Sequence, residues 1–276
     1  MLDWRRIPAS ALIGLVLTIG IVLVAILAPW IAPYGNGQVV GDVWAPASDK
    51  VWLGTDNLGR DLLSRMIYGA RITLTIAGAA TALSFTMGST LGFVAAVTGG
   101  QLDQWLSRGV DLLMAIPTLI FALVVLSVLP SSVTVLVLVL GILDSTRVFR
   151  LSRAVAVDIN VMDFVEAARL RGEKTSWIVF SEILPNALTP LISELGLRFI
   201  FAVLFLSALS FLGLGVQPPD ADWGAMVKEN KEGIVFGIPA ALIPAAAIGV
   251  LTISVNLVAD WILNRTSSLK GGRGSG

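Results

Sequence analysis

The chain has neither cysteine nor histidine among its 276 residues. Without cysteine there is no disulfide and no thiolate nucleophile. Without histidine, imidazole-based triads and Cys/His metal sites have no ligands. Charge is scarce too: 14% of residues are Asp, Glu, Lys or Arg, against about 25% in soluble domains. The two signs cancel at nineteen each, so no global field draws nucleic acid. The phosphate-loop pattern Gly-x-x-x-x-Gly-Lys-Ser/Thr does not occur; if ATP drives this protein, another chain binds it. What the chain does have is hydrophobicity, 55% of residues, with a mean hydropathy of +0.85.

The apolar residues come in six long runs, about 11–28, 72–98, 109–130, 132–150, 188–214 and 238–262. Each is long enough to cross a hydrocarbon core of about 30 Å. The first run is longer than a secretory signal core and ends in Pro29-Trp30, so it reads as an uncleaved span. Leu129-Pro130-Ser131-Ser132 reads as a tight hairpin between the third and fourth. Six crossings put both termini on one side. That side then carries twelve Lys and Arg against six on the other, with Arg198 inside a span. The positive-inside rule makes it the cytoplasm. The expected division is a cytoplasmic N-terminus over 1–10, a six-span domain over 11–265, and a flexible Gly-rich tail over 266–276.

The longest charged interruption contains Glu166-Ala167-Ala168-Arg169-Leu170-Arg171-Gly172. Asn160 can cap a helix start, with Asp163 three residues on. Val161, Val165 and Ala168 then share a face, and Gly172 suits the left-handed conformation that ends a helix. A second apolar run, Trp177 to Leu184, stops at Pro185. The spacing predicts helix, turn, helix outside the membrane.

Glu-Ala-Ala, three residues, Gly, then Leu184-Pro185 resembles the signature cytoplasmic loop of ABC importer permeases. That motif usually has Ile where this chain has Glu182. The first external loop, with Asp56, Arg60 and Asp61 in Gly54-Thr55-Asp56-Asn57-Leu58-Gly59-Arg60-Asp61 and then Tyr68-Gly69-Ala70-Arg71, is similar to that of the peptide and nickel branch. The second, Leu212-Gly213-Leu214-Gly215-Val216-Gln217-Pro218-Pro219 followed by Trp223-Gly224, resembles the C-type subunit of that branch.

The resemblance implies an all-α integral membrane fold of the type I importer permease kind, in a bacterial inner membrane, with a cytoplasmic coupling-helix loop over about 151–187. It implies a second, homologous permease, two ATPase subunits and an extracytoplasmic substrate-binding protein as partners, besides membrane lipid. No cofactor is expected in this chain, and ATP and Mg would sit in the ATPases. Glu166 is expected to contact the ATPase, with Ala167, Ala168 and Gly172 as packing and turn positions and Leu184 and Pro185 closing the loop. Asp56, Arg60, Asp61, Gln217 and Trp223 are expected to face the binding protein. The chain is expected to be no enzyme but a translocation subunit, for di- or oligopeptides, or alternatively for a nickel chelate, glutathione or an opine.

Intramembrane charges complete the inventory. Asp111, Asp144 and Asp260 fall toward the cytoplasmic ends of their runs, where snorkelling relieves their cost. Glu194 and Arg198 are four apart in acid-before-base order. Asp144, Glu194 and Arg198 are candidates to line the path or its inner gate; the competing reading is a self-neutralised pair packed on a neighbouring helix. Gly88 and Gly92 form a Gly-x-x-x-Gly spacing that lets two helices approach closely. Trp30 and Trp223 suit an interfacial aromatic belt. A secondary transporter or channel would predict broken central helices or a proton relay, neither of which is clear in the sequence.

Overall fold

The computed structural model describes the backbone of residues 8–271 and side chains through residue 264. The expectations for residues 1–7 and for the end of the tail, 272–276, lie outside the described residues. Among the described residues nine helices follow in order: α1 (Ala9–Ile31), α2 (Leu62–Thr98), α3 (Gly100–Ala115), α4 (Thr118–Val128), α5 (Val133–Asn160), α6 (Asp163–Leu170), α7 (Thr175–Leu212), α8 (Trp223–Asn230) and α9 (Leu242–Gly271). Short 3₁₀ turns join α8 to α9, and no β-strand forms among the described residues.

By length and composition four helices among the described residues can cross a membrane: α1, α2, α7 and 239–264, most of α9. The expected third span is instead broken. Pro117 removes a backbone donor and pushes Ile116 out of the helical region, to φ −92° and ψ 132°. The two pieces, α3 and α4, meet at 86°, and α4, at 11 residues, is too short to cross alone. The expected fourth span is longer than its apolar run. α5 continues through Asp144, Arg147 and Arg150 to Asn160, because Arg153 and Arg150 find carboxylates on α3.

Two further boundaries move. α2 starts at Leu62, ten residues before its expected beginning, because Asp61 caps it by accepting from Ser64 N at 2.8 Å. Pro185 does not end a helix. Leu184 N bonds back to Val179 O, five residues away, and this π turn widens the backbone just ahead of the proline ring. The helix runs through it, so the second loop helix and the fifth span are one continuous α7.

Packing uses small residues, as expected where lipid supplies no hydrophobic drive between helices. Gly88 and Gly92 lie flat against α5: a Cβ on Gly88 would come within 2.6 Å of Ser145 O, and one on Gly92 within 2.7 Å of Phe149 O. Farther along the same seam, Gly141 meets Leu83, and Asn160 donates to Ala96 O. Residue numbers rise together along both helices, so α2 and α5 run parallel. Gly14 brings α1 onto Ser254 of α9, and Gly196 brings α7 onto Ala259.

Candidate functional site

The loop after α5 builds a small docked helix. α6 buries Val165 and Ala168 against Phe93 and Ala96 of α2, Ala156 and Ile159 of α5, and Ile178 and Ile183 of α7. Val161, expected on that face, is 79% exposed. Asn160 is not the cap. It ends α5, donating to Ala96 O at 3.3 Å and accepting from Arg169 at 2.6 Å, while Met162 holds the cap position without a side-chain bond. The side chain thus ties the ends of α2, α5 and α6 together, a use that local spacing does not reveal. Gly172 has φ +82°. Glu173 N bonds to Ala168 O at 3.2 Å and Gly172 N to Arg169 O at 2.9 Å, the paired bonds of a Schellman ending.

Glu166 and Ala167 are on the outward face, both exposed. Leu184 is half-buried beside the α6 cluster, and Pro185 is exposed. Glu182, the departure from the usual motif, lies 3.8 Å from Arg171, whose guanidinium is 5.6 Å from the Trp177 ring centre. An isoleucine would leave Arg171 without that carboxylate.

Deeper in the bundle, the structure brings Asp144, Glu194 and Arg198 into one cluster. Arg198 Nη1 donates to Asp144 Oδ1 at 3.2 Å, across α7 and α5, and its Nε lies 2.8 Å from Glu194 Oε1 on its own helix. Ser84 of α2 donates to the other Asp144 oxygen at 3.2 Å. Arg147 stands over the Phe201 ring at 4.2 Å, with Arg198 at 5.9 Å from the same ring. Sequence reasoning missed Ser84, Arg147 and Phe201. The signal was there in part, since Arg147 follows Asp144 by three residues and Phe201 follows Arg198 by three. The self-neutralised pair on α7 and the interhelix contact therefore coexist.

Each helix carries its own counter-ion: Glu194 for Arg198 on α7, Arg147 near Asp144 on α5. The Arg198–Asp144 bond can open without leaving either half with net charge. Of the other intramembrane acids, Asp111 pairs with Arg150 at 2.6 Å, both more than half exposed, and Asp260 is exposed.

In the two loops expected to be external, four of the five residues expected to face a partner are buried. Asp56 accepts from Arg60 Nε at 2.7 Å and also from Arg65, while Glu229 of α8 accepts from Arg60 at 2.8 Å and from Arg65. Asp61 is spent on capping α2, and Trp223 donates its indole N–H to Met66 O at 3.0 Å while 3% exposed. These groups pin the first loop to α8 and shape its surface from beneath. Gln217 is exposed. Trp223 is also no belt residue, whereas Trp30, 77% exposed, is free to be one. Asp222 caps α8 from a fully buried position, accepting from Gly224 N and Ala225 N; burial pushes its carboxyl up to about 6.

This architecture, with apolar helices, a docked polar loop helix and charges balanced inside the bundle, is that of a multi-pass membrane permease. Residues 88–268 match the family described as binding-protein-dependent transport system inner membrane component. Residues 9–43 match the N-terminal transmembrane domain of oligopeptide transport permease C. A di/tripeptide transport system permease, DppC, of Pseudomonas aeruginosa is 35% identical, covering 92% of this chain and 86% of its own length. A dipeptide permease of Alkalihalophilus pseudofirmus is 31% identical over 91% and 83%. A glutathione transport permease of Pectobacterium atrosepticum is 32% identical over 78% and 71%. The solved MetNI methionine ABC transporter, inward facing, aligns with a TM-score of 0.58 at 18% identity, over 74% of this chain and 97% of that chain; this likeness speaks for the fold alone. The chain belongs to the binding-protein-dependent ABC importer permeases, as a C-type subunit of the dipeptide and oligopeptide branch, and is a multi-pass inner-membrane protein.

Proposed function

We propose that this chain is one of two permease subunits through which short peptides cross the inner membrane by alternating access, driven by ATP hydrolysis in separate subunits that hold the ATP and Mg. An extracytoplasmic binding protein delivers the peptide to the side bearing the 32–61 and 213–241 loops. The chain crosses six times, with both termini cytoplasmic. Two helices of the bundle, α5 and α7, move when an ATPase engages α6, and the Arg198–Asp144 bond is the inner gate that opens between them.

The observation that carries this reading is α6 itself. It hangs between α5 and α7, docked by Val165 and Ala168, with Glu166 facing outward. A push on Glu166 is transmitted to both gate helices because α6 is joined to each by only a few residues. The peptide substrate is supported by the names of the relatives; the glutathione permease among them keeps glutathione, itself a tripeptide, as the alternative.

The test is uptake of labelled dipeptide into vesicles carrying the complete transporter. Glu166→Lys replaces a charge-assisted contact worth about 1.5–3 kcal/mol with repulsion. Uptake should fall at least tenfold at normal expression; wild-type uptake in the variant would sink the coupling role.

A further inference from the structure

α2 also lines two apolar grooves that share Phe199. Arg71, Leu74 and Thr75 line a groove of about 540 Å³ with Val22, Ile26 and Trp30 of α1. Phe199 continues it into a second groove of about 430 Å³, lined by Gly78, Thr81 and Ala82 of α2 and by apolar residues of α7 and α9. From Arg71 to Ala82 is eleven residues, about 16 Å of helix, close to half of a hydrocarbon core of about 30 Å.

Two features say what fits there. The first is charge. Arg71 is the one ionisable residue in either lining, it is exposed, and among the described residues no hydrogen bond or ion pair holds its guanidinium. An uncompensated cation beside an apolar groove in a membrane span calls for an anion. The second is depth. Trp30, near the end of α1 and largely exposed, shares the lining with Arg71, which places that guanidinium at the level of an interfacial tryptophan. A ligand with an anion at the interface and an apolar tail one leaflet long is a phospholipid.

We propose that this groove binds an anionic phospholipid of the leaflet on the α1–α2 loop side, with its phosphodiester on Arg71 and an acyl chain along α2 from Leu74 to Ala82. The proposal rests on the membrane placement of the helices and not on the transported substrate, so it survives or fails independently of the Glu166→Lys result.

The test is native mass spectrometry of the assembled transporter, extracted mildly and supplied with phosphatidylglycerol, phosphatidylcholine or inorganic phosphate. Phosphatidylglycerol should be retained in preference to phosphatidylcholine, and Arg71→Gln should lower its retention roughly tenfold, the scale of one charge-assisted hydrogen bond. Gly78→Leu is the second variant. A Cβ on Gly78 meets no atom within 4 Å, so the backbone admits a side chain there, and a leucine projecting into the groove should also displace the lipid with Arg71 intact. Retention equal to wild type in both variants would overturn the proposal. Displacement of phosphatidylglycerol by inorganic phosphate alone would reduce the groove to an ion site. Loss of the second permease subunit from the Arg71→Gln complex, with lipid retention unchanged, would make it a protein interface instead.

Discussion

Arg198 has a carboxylate on each side, and the two are not equivalent. Glu194 is 27% exposed at its side chain, whereas Asp144 is 6% exposed. Removing a partner from a buried ion pair strands the charge that remains, at a cost of about 3–5 kcal/mol. Arg198→Ala strands Asp144, with Ser84 and Arg147 as partial relief, so the lower end of that range is expected. Asp144→Asn combined with Arg198→Gln removes the stranded buried carboxylate, leaves the more exposed Glu194 to solvent, and should recover part of the loss. Thermal unfolding of the detergent-purified permease measures both; equal midpoints for the single and double variants would mean that the pair is not coupled.

Asp222 gives a residue-scale prediction of opposite character. Its folded-state pKa, about 6, is raised above that of an unfolded aspartate, about 3.9. Stability from the protonated form is therefore full below about 4 and is lost as pH rises through 6. The loss is on the order of 2–3 kcal/mol. Amide hydrogen exchange across Trp223–Asn230, corrected for intrinsic rates, should show more protection at pH 5 than at pH 7. Asp222→Asn keeps a capping oxygen and should flatten the difference; a pH dependence that persists in this variant would assign it elsewhere.

At the scale of elements, the C-terminal ending of α6 turns on a single glycine. Gly172 at φ +82° has open space where a Cβ would stand, so a β-carbon meets no clash there and its cost is backbone strain, about 1–2 kcal/mol. Gly172→Val should leave an inserted permease that co-purifies poorly with its ATPase, while Gly172→Asn, which tolerates that conformation, should be milder. The readout is ATPase recovered per permease after mild extraction, and equal recovery for all three would remove Gly172 as a conformational determinant.

Features set by local chemistry could be read from the sequence alone: the Gly172 ending, the burial of Val165 and Ala168 (though not of Val161, which the same period put on that face), and the Gly88–Gly92 approach follow from residue type and period. Features set by a distant partner could not. The length of α5 depends on carboxylates of α3, the role of Asn160 on a carbonyl of α2, and the pairing of buried Arg60 on Glu229 of α8, 169 residues away. The break at Pro117 and the continuity at Pro185 are a matched pair. The same residue bends one helix by 86° and is absorbed by a π turn in the other, and nothing in the immediate sequence distinguishes the two outcomes.

For the whole molecule, the question left by the broken pair is how many times the chain crosses. If α3 and α4 form a re-entrant loop, the chain crosses fewer times; if they form one bent span, it crosses six times. Both versions can leave the termini on the same side, so terminal labels do not decide between them. The parallel run of α2 and α5 does bear on it. On the six-crossing reading, α5 ends beside the end of α2, as the Asn160–Ala96 contact requires, because the chain between residues 99 and 132 returns across the bilayer. The hairpin at 129–132 should then be external. In this cysteine-free chain, Ser131→Cys and Asp220→Cys, both at exposed positions, should react in spheroplasts with a membrane-impermeant maleimide, and Lys174→Cys should react only after permeabilisation. Asp56→Cys, on the same side but fully buried, should stay unlabelled. Labelling at Asp220→Cys but not at Ser131→Cys would make α3 and α4 re-entrant and take α5 out of the set of crossing helices. Labelling at Lys174→Cys in intact cells would invert the orientation altogether, and with it the assignment of α6 to the ATPase side.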